Sequence, residues 1–154
     1  MEKTNVMRLL DASNIDYGMY EYDNTQTDGQ TIAKILNKPC YEVFKTLVTV
    51  ANTGEYFVFV VPVDCTLDLK KGAKAVNVKS IQMIKQKELL PLTGYIHGGC
   101  SPIGMKKPFT TIIDETAMLC DKICVSAGRV GKQIEISPQV LCDYIKGRFC
   151  DISV

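Results

Sequence analysis

The sequence predicts an α+β fold in a single domain of 154 residues, and three observations carry that reading. Two runs, Val43–Val50 and Tyr56–Val63, are rich in β-branched and aromatic residues and are joined by Asn52-Thr53-Gly54, the composition of a hairpin turn. Segments with apolar residues at helical spacing begin behind capping residues: Thr4, Thr27 or Asp28, and Ser137-Pro138. Hydrophobic residues make up 46% of the chain and charged residues 23%, an ordinary balance for a globular protein long enough to bury a core.

Taken in order, Thr4 caps a first helix whose apolar stripe (Val6, Leu9, Leu10) runs as far as Ile15. Tyr17–Tyr22 reads as a strand, and Asn24–Gly29 as a polar turn. The next helix carries Ile32, Ile35 and Leu36 before Pro39 opens a short helical turn. After the hairpin, Leu67–Ala75 reads as a short helix with Lys70, Lys71 and Lys74 outward. Ser80–Ile84 is a further strand, followed by a helical turn that ends at Pro91. Thr110–Ile113, Ile123–Ser126 and Gln133–Ile136 are short strands. The last helix starts at Ser137-Pro138, uses Val140, Leu141, Tyr144 and Ile145, and ends at Gly147. No repeat or linker interrupts this order, so residues 1–154 are expected to fold as one domain with a mixed sheet partly wrapped by helices.

Composition excludes several function classes. Net charge is +1, so no overall field draws in nucleic acid or an anionic membrane, and any RNA contact must come from a local patch. No apolar run approaches the roughly 20 residues of a membrane-spanning helix, and Met1–Asn5 does not open a signal peptide, so no membrane partner is expected. The seven cysteines are odd in number, scattered and free of any C-x-x-C pair. They read as small buried residues in a reducing cytoplasm rather than as disulfides or zinc ligands. Neither a metal nor a cofactor is expected.

Two stretches stand out chemically. In Gly94–Lys107, the small residues Gly98, Gly99, Cys100, Ser101 and Gly104 surround Pro102. Glycine allows close approach and unusual dihedrals, and proline fixes its own φ and restricts Ser101 before it. The segment is either an ordinary loop between strands or a cradle that turns backbone N–H groups toward an oxyanion or phosphate. Lys45 is the second. It shares one face of its strand with Val43, Leu47 and Thr49, an unfavourable place for an unpartnered ammonium. It either snorkels to solvent or supplies a pocket cation for an anionic ligand.

Glu42-Val43-Phe44-Lys45-Thr46-Leu47-Val48 and Gly98-Gly99-Cys100-Ser101-Pro102-Ile103-Gly104 together resemble the YbaK/ProX family of aminoacyl-tRNA deacylases, the YbaK-type Cys-tRNA(Pro) deacylases above all. Leu67–Lys71, Gly94-Tyr95, Thr111–Asp114 and Val125–Gly128 match in the family's order across nearly the whole chain. The resemblance implies an α+β domain with a mixed, barrel-like sheet surrounded by helices. It also implies a second sieve that clears mischarged tRNA(Pro) in partnership with prolyl-tRNA synthetase, a step needed when amino acids of similar size differ too little in binding energy. Lys45 matches the family's essential lysine. Gly98 and Pro102 match its G-x-x-x-P loop, with Gly99 and Ser101 between them and Ser101 at the loop hydroxyl. Tyr22 aligns with an aromatic residue on the pocket-side strand, while Thr46, Cys100 and Gly128 fall in the matching segments expected around the substrate. Two departures are Cys100, where an aliphatic residue is usual, and Arg129-Val130-Gly131, which lacks a second basic residue before the glycine.

The mechanism is read from what is missing. His97 is the one histidine and matches no catalytic position of the family, and a Cys100–His97 pair has no orienting carboxylate in sight. The expected alternative is self-attack by the cysteinyl thiol of the substrate, with the protein supplying position and backbone donors. The rival readings are an Ala-tRNA(Pro) or broader aminoacyl-tRNA deacylase and an amino-acid or acceptor-end binding module without catalysis. For the tRNA, the available cations are Lys70, Lys71, Lys74, Lys79, Lys106, Lys107, Arg129 and Lys132.

Overall fold

Residues 2–154 are described by the structure, a computed structural model. In chain order the elements are α1 (Asn5–Ala12), β1 (Gly18–Glu21), α2 (Gly29–Ile35), β2 (Phe44–Ala51), β3 (Tyr56–Pro62), α3 (Leu69–Ala75) and β4 (Ile81–Met83). There follow α4 (Gln86–Thr93), β5 (Thr110–Asp114), β6 (Ile123–Ser126), β7 (Lys132–Ile136), α5 (Pro138–Ile145) and β8 (Arg148–Cys150), with 3-10 turns at Cys40–Glu42 and Glu115–Leu119. The fold is α+β, as the sequence predicts.

Side chains just ahead of the helices take up their free N–H groups. Thr4 accepts from Met7 N, Asp28 from Thr31 N, Asp68 from Lys70 N and Lys71 N, and Ser137 from Val140 N. Three helix ends differ from expectation. Helix α1 stops at Ala12, because Asn14 turns left-handed (φ 56°). Helix α4 runs through Pro91: the Thr93 hydroxyl donates to Leu89 O at 2.8 Å, Gly94 N donates to Leu90 O at 2.8 Å, and left-handed Gly94 ends it. Helix α5 is closed by Lys146 in the left-handed region (φ 56°), with Gly147 N donating to Cys142 O from the next position.

The strands form two sheets, the larger of them mixed, and neither closes into a barrel. The smaller is antiparallel in the order β1-β7-β6; the larger runs β4-β2-β3-β5-β8. The β4-β2-β3 side of the larger sheet is antiparallel and the β3-β5-β8 side parallel. Strand β3 lies at its centre, and Phe57 to Val61 are buried, as a near-continuous apolar run requires when both faces are covered. One core, with Met7, Leu10, Phe44, Val60, Ile123, Ile134 and Leu141, fills the space between the sheets, α1 and α5. A second, with Phe59, Val61, Ala73, Ile81, Ile112 and Ile152, lies under α3. Strand β8 was not anticipated. It is a three-residue edge strand whose neighbouring tail is held by buried Asp114, which accepts Ile152 N at 3.1 Å and the Thr116 hydroxyl at 2.6 Å.

An isolated parallel bridge, Val43 to Cys124, joins the two sheets. Two residues beyond it on each strand, Lys45 and Ser126 instead line a cavity, so the functional space opens where the sheets part. No helix among the described residues is long and apolar enough to cross a membrane.

Candidate active site

The cavity measures ≈160 Å³ and is walled by β2 (Phe44 to Leu47), the start of α2 (Gly29, Ile32), the strand ends Ser126 and Gln133, and the loop residues His97, Gly98 and Cys100. Four of the residues expected around a substrate therefore meet: Lys45, Thr46, Gly98 and Cys100. Lys45 is half-buried, pairs with Val61 across the hairpin, and enters no ion pair within 4.0 Å among the described residues. Its charge reaches Asp28. The Thr31 hydroxyl and N–H hold that carboxyl below the usual range, and the charge of Lys45 adds a smaller pull in the same direction.

The loop is fixed by close approaches that explain its glycines. Gly98 has φ 87°, and a Cβ there would stand 2.7 Å from Thr27 Cγ2. A Cβ on Gly99 would stand 3.0 Å from Val130 N, so the loop rests directly on the backbone of Arg129 and Val130. Gly99 N donates to Ile96 O at 3.0 Å, which removes that N–H from any role toward a ligand. Among the described residues, no acceptor engages the N–H groups of Gly98 and Cys100 on either side of it.

The remaining expected residues stand behind the cavity wall. Ser101 is fully buried, and its hydroxyl accepts Ile103 N at 3.2 Å, a turn that shapes the loop from within. Pro102 borders a separate hollow with Phe109, Tyr144 and Lys146. Gly128 (φ 94°) lets Tyr95 pack close, since a Cβ would lie 3.1 Å from the ring; the Tyr95 hydroxyl in turn donates to Ile103 O at 2.5 Å. Tyr22 is buried at the end of β1.

The cavity chemistry is that of positioning. Burial pushes the Cys100 thiol up to about 12, so it is uncharged at neutral pH, wedged against Val48 and Val58. His97 lies at the cavity, where sequence reasoning gave it no role, but it is exposed and shares no hydrogen bond with Cys100 among the described residues. Gln133 and Ser126, directly paired between β7 and β6, were missed altogether. Gln133 is 5% exposed and its Oε1 has no partner; Thr46 Oγ1 and the Tyr22 hydroxyl are likewise buried and unpaired.

The model of the aminoacyl-tRNA editing domain matches residues 24–144. A protein of Enterococcus faecalis, EbsC, named for Cys-tRNA(Pro)/Cys-tRNA(Cys) deacylation, is 42% identical over 154 residues, covering 99% of this chain and 94% of the relative. Two crystal structures share the fold. A hypothetical protein, APE2540, matches with a TM-score of 0.91 at 21% identity, over 98% of this chain and 100% of its own. A protein named as a trans-editing enzyme for prolyl-tRNA synthetase matches with a TM-score of 0.85 at 19% identity, over 100% and 99%. The lysine strand and the Gly98–Pro102 loop are thus set in the architecture that their motifs resemble, and the chain belongs to the aminoacyl-tRNA editing family.

Proposed function

We propose that this protein is a trans-editing deacylase that removes cysteine from mischarged Cys-tRNA(Pro), with prolyl-tRNA synthetase selecting the tRNA. The observation that carries the reading is a single ≈160 Å³ cavity bordered by Lys45, Gly98 and Cys100 and by no carboxylate. It is of the size class of an engineered cavity that holds one benzene, which suits a small amino-acid side chain and leaves the terminal adenosine outside. The 42% identity to a relative named for cysteinyl-tRNA deacylation supports cysteine as the group removed. The exposed Lys106, Lys107 and Arg129 flank the loop, where they suit acceptor-stem phosphates.

In this reading the substrate's own thiol attacks the ester carbonyl carbon. The C–S bond forms as the C–O bond to the terminal ribose breaks, the proton leaving sulfur passes to the ribose oxygen, and water later opens the β-thiolactone to free cysteine. Lys45 holds the ester end, and the N–H groups of Gly98 and Cys100 stabilise the oxyanion. Lys45→Ala should lower deacylation of Cys-tRNA(Pro) by at least about 100-fold with an unchanged melting temperature, the usual order for losing a transition-state contact. Wild-type turnover in that variant would overturn the assignment, and faster wild-type cleavage of Ala-tRNA(Pro) would move the substrate to alanine.

A further inference from the structure

We infer that Gln133 is a specificity-determining residue that accepts a hydrogen bond from the substrate's α-ammonium group, with the Thr46 hydroxyl as its companion acceptor. The inference rests on the aminoacyl-tRNA reading above and extends it to the amino group of the substrate. Buried carbonyl oxygens are almost always paired, yet Gln133, which lines the cavity, has its Oε1 buried with no donor in a residue only 5% exposed. A carboxamide oxygen can only accept, so what completes it must bring an N–H or O–H.

The position narrows the donor. A cavity of ≈160 Å³ admits the aminoacyl group but not the adenosine that bears it, which keeps the base's exocyclic amine away. An ester-linked cysteine offers one strong donor set, the three N–H bonds of its ammonium, since a thiol donates weakly. Several oxygens await it. Thr46 lines the same cavity and its Oγ1 is buried and unpaired, and Ser126 stands directly opposite Gln133. The Tyr22 hydroxyl, also unpaired, belongs to the end of β1, two residues beyond Tyr20, which pairs with Gln133.

Charge fits as well. No carboxylate lines the cavity, so a cationic amine must be held by neutral oxygens and kept apart from Lys45. Gln133 is on β7, one strand beyond β6, which meets β2 at the Val43–Cys124 bridge, so Gln133 and Lys45 line the cavity from different sheets. The ester can then face Lys45 while the ammonium faces Gln133.

The test measures binding, so that it stands apart from catalysis. The full chain is titrated with 3′-(L-cysteinylamino)-3′-deoxyadenosine, whose amide replaces the ester, and with the 3-mercaptopropionyl counterpart that lacks only the amine. The wild type should bind the amine-bearing probe at least tenfold tighter. In Gln133→Leu that ratio should fall to near one, and in Gln133→Glu, which keeps only acceptors and adds charge, it should hold or rise. A ratio near one in the wild type, no binding of either probe, an unchanged ratio in Gln133→Leu or a reduced one in Gln133→Glu would overturn the inference. Should Gln133→Leu melt below the working temperature, the Gln133→Glu ratio decides. Absence of wild-type turnover on Cys-tRNA(Pro) would instead remove the deacylase reading, whatever the probe ratio.

Discussion

Cys100 lines the cavity, yet burial against Val48 and Val58 keeps its thiol protonated, its value pushed up to about 12. At neutral pH a nucleophile needs a base to compensate for that, and His97 makes no bond to it. Cys100→Ala should therefore keep deacylation within about threefold of wild type, the scale of a packing change that leaves proton transfer untouched, where a lost general base costs ~10²–10⁴. A loss beyond a hundredfold, or a mass shift on Cys100 from a trapped cysteinyl thioester, would reinstate covalent catalysis. At this scale Lys45 was singled out by its place in an apolar row and given a role by the family resemblance, and the structure places it half-buried at the cavity. Gln133 was not: alternating with Ile134 and Ile136, it reads as the wet face of a strand. Only the pairing with Ser126 and the parting of the sheets turn that face inward.

At the scale of the loop, Gly98 combines a positive φ of 87° with a would-be Cβ 2.7 Å from Thr27. Gly98→Val adds backbone strain of roughly 1–2 kcal/mol and puts a branched side chain at the cavity wall. Gly54 serves as the control, for its φ is 89° and nothing lies within 4 Å of a Cβ there. Both valine variants should lower the melting temperature by a few degrees, about 2–4 °C per kcal/mol in a chain of this size. Only Gly98→Val should also cut turnover, by about 100-fold or more, comparable to losing one oxyanion donor. Equal turnover in the two variants would separate the loop from the chemistry. The hairpin and three of the caps, Thr4, Asp28 and Ser137, were legible in residues that do their work locally, while the Asp68 cap was not. The course of α4 through Pro91 was not, because Thr93 and Gly94 satisfy the last turn from outside the proline, nor was β8, whose pairing depends on Asp114 reaching across to Ile152.

On the scale of the molecule, function follows from two sheets joined at the Val43–Cys124 bridge and diverging beyond it. The parting of the sheets opens the cavity between a lysine strand and a glycine loop, where the proposed function places a small aminoacyl group. The cavity brings neither a carboxylate nor an activated thiol, and in the proposed function the nucleophile is the thiol that the substrate carries. Holding a tethered nucleophile in line can supply roughly 7–11 kcal/mol, enough to make such a cavity catalytic. The most direct test compares Cys-tRNA(Pro) with Ser-tRNA(Pro), which differ in sulfur against oxygen, in single-turnover assays with quenched samples analysed for a cyclic thiolactone. Self-attack predicts cleavage of the cysteinyl ester faster by at least about 100-fold, the thiol being ionised near its ordinary pKa of ~8.5 while the alcohol stays protonated, together with a transient thiolactone. Equal rates on the two esters, with no thiolactone, would mean that water attacks directly and would contradict the account.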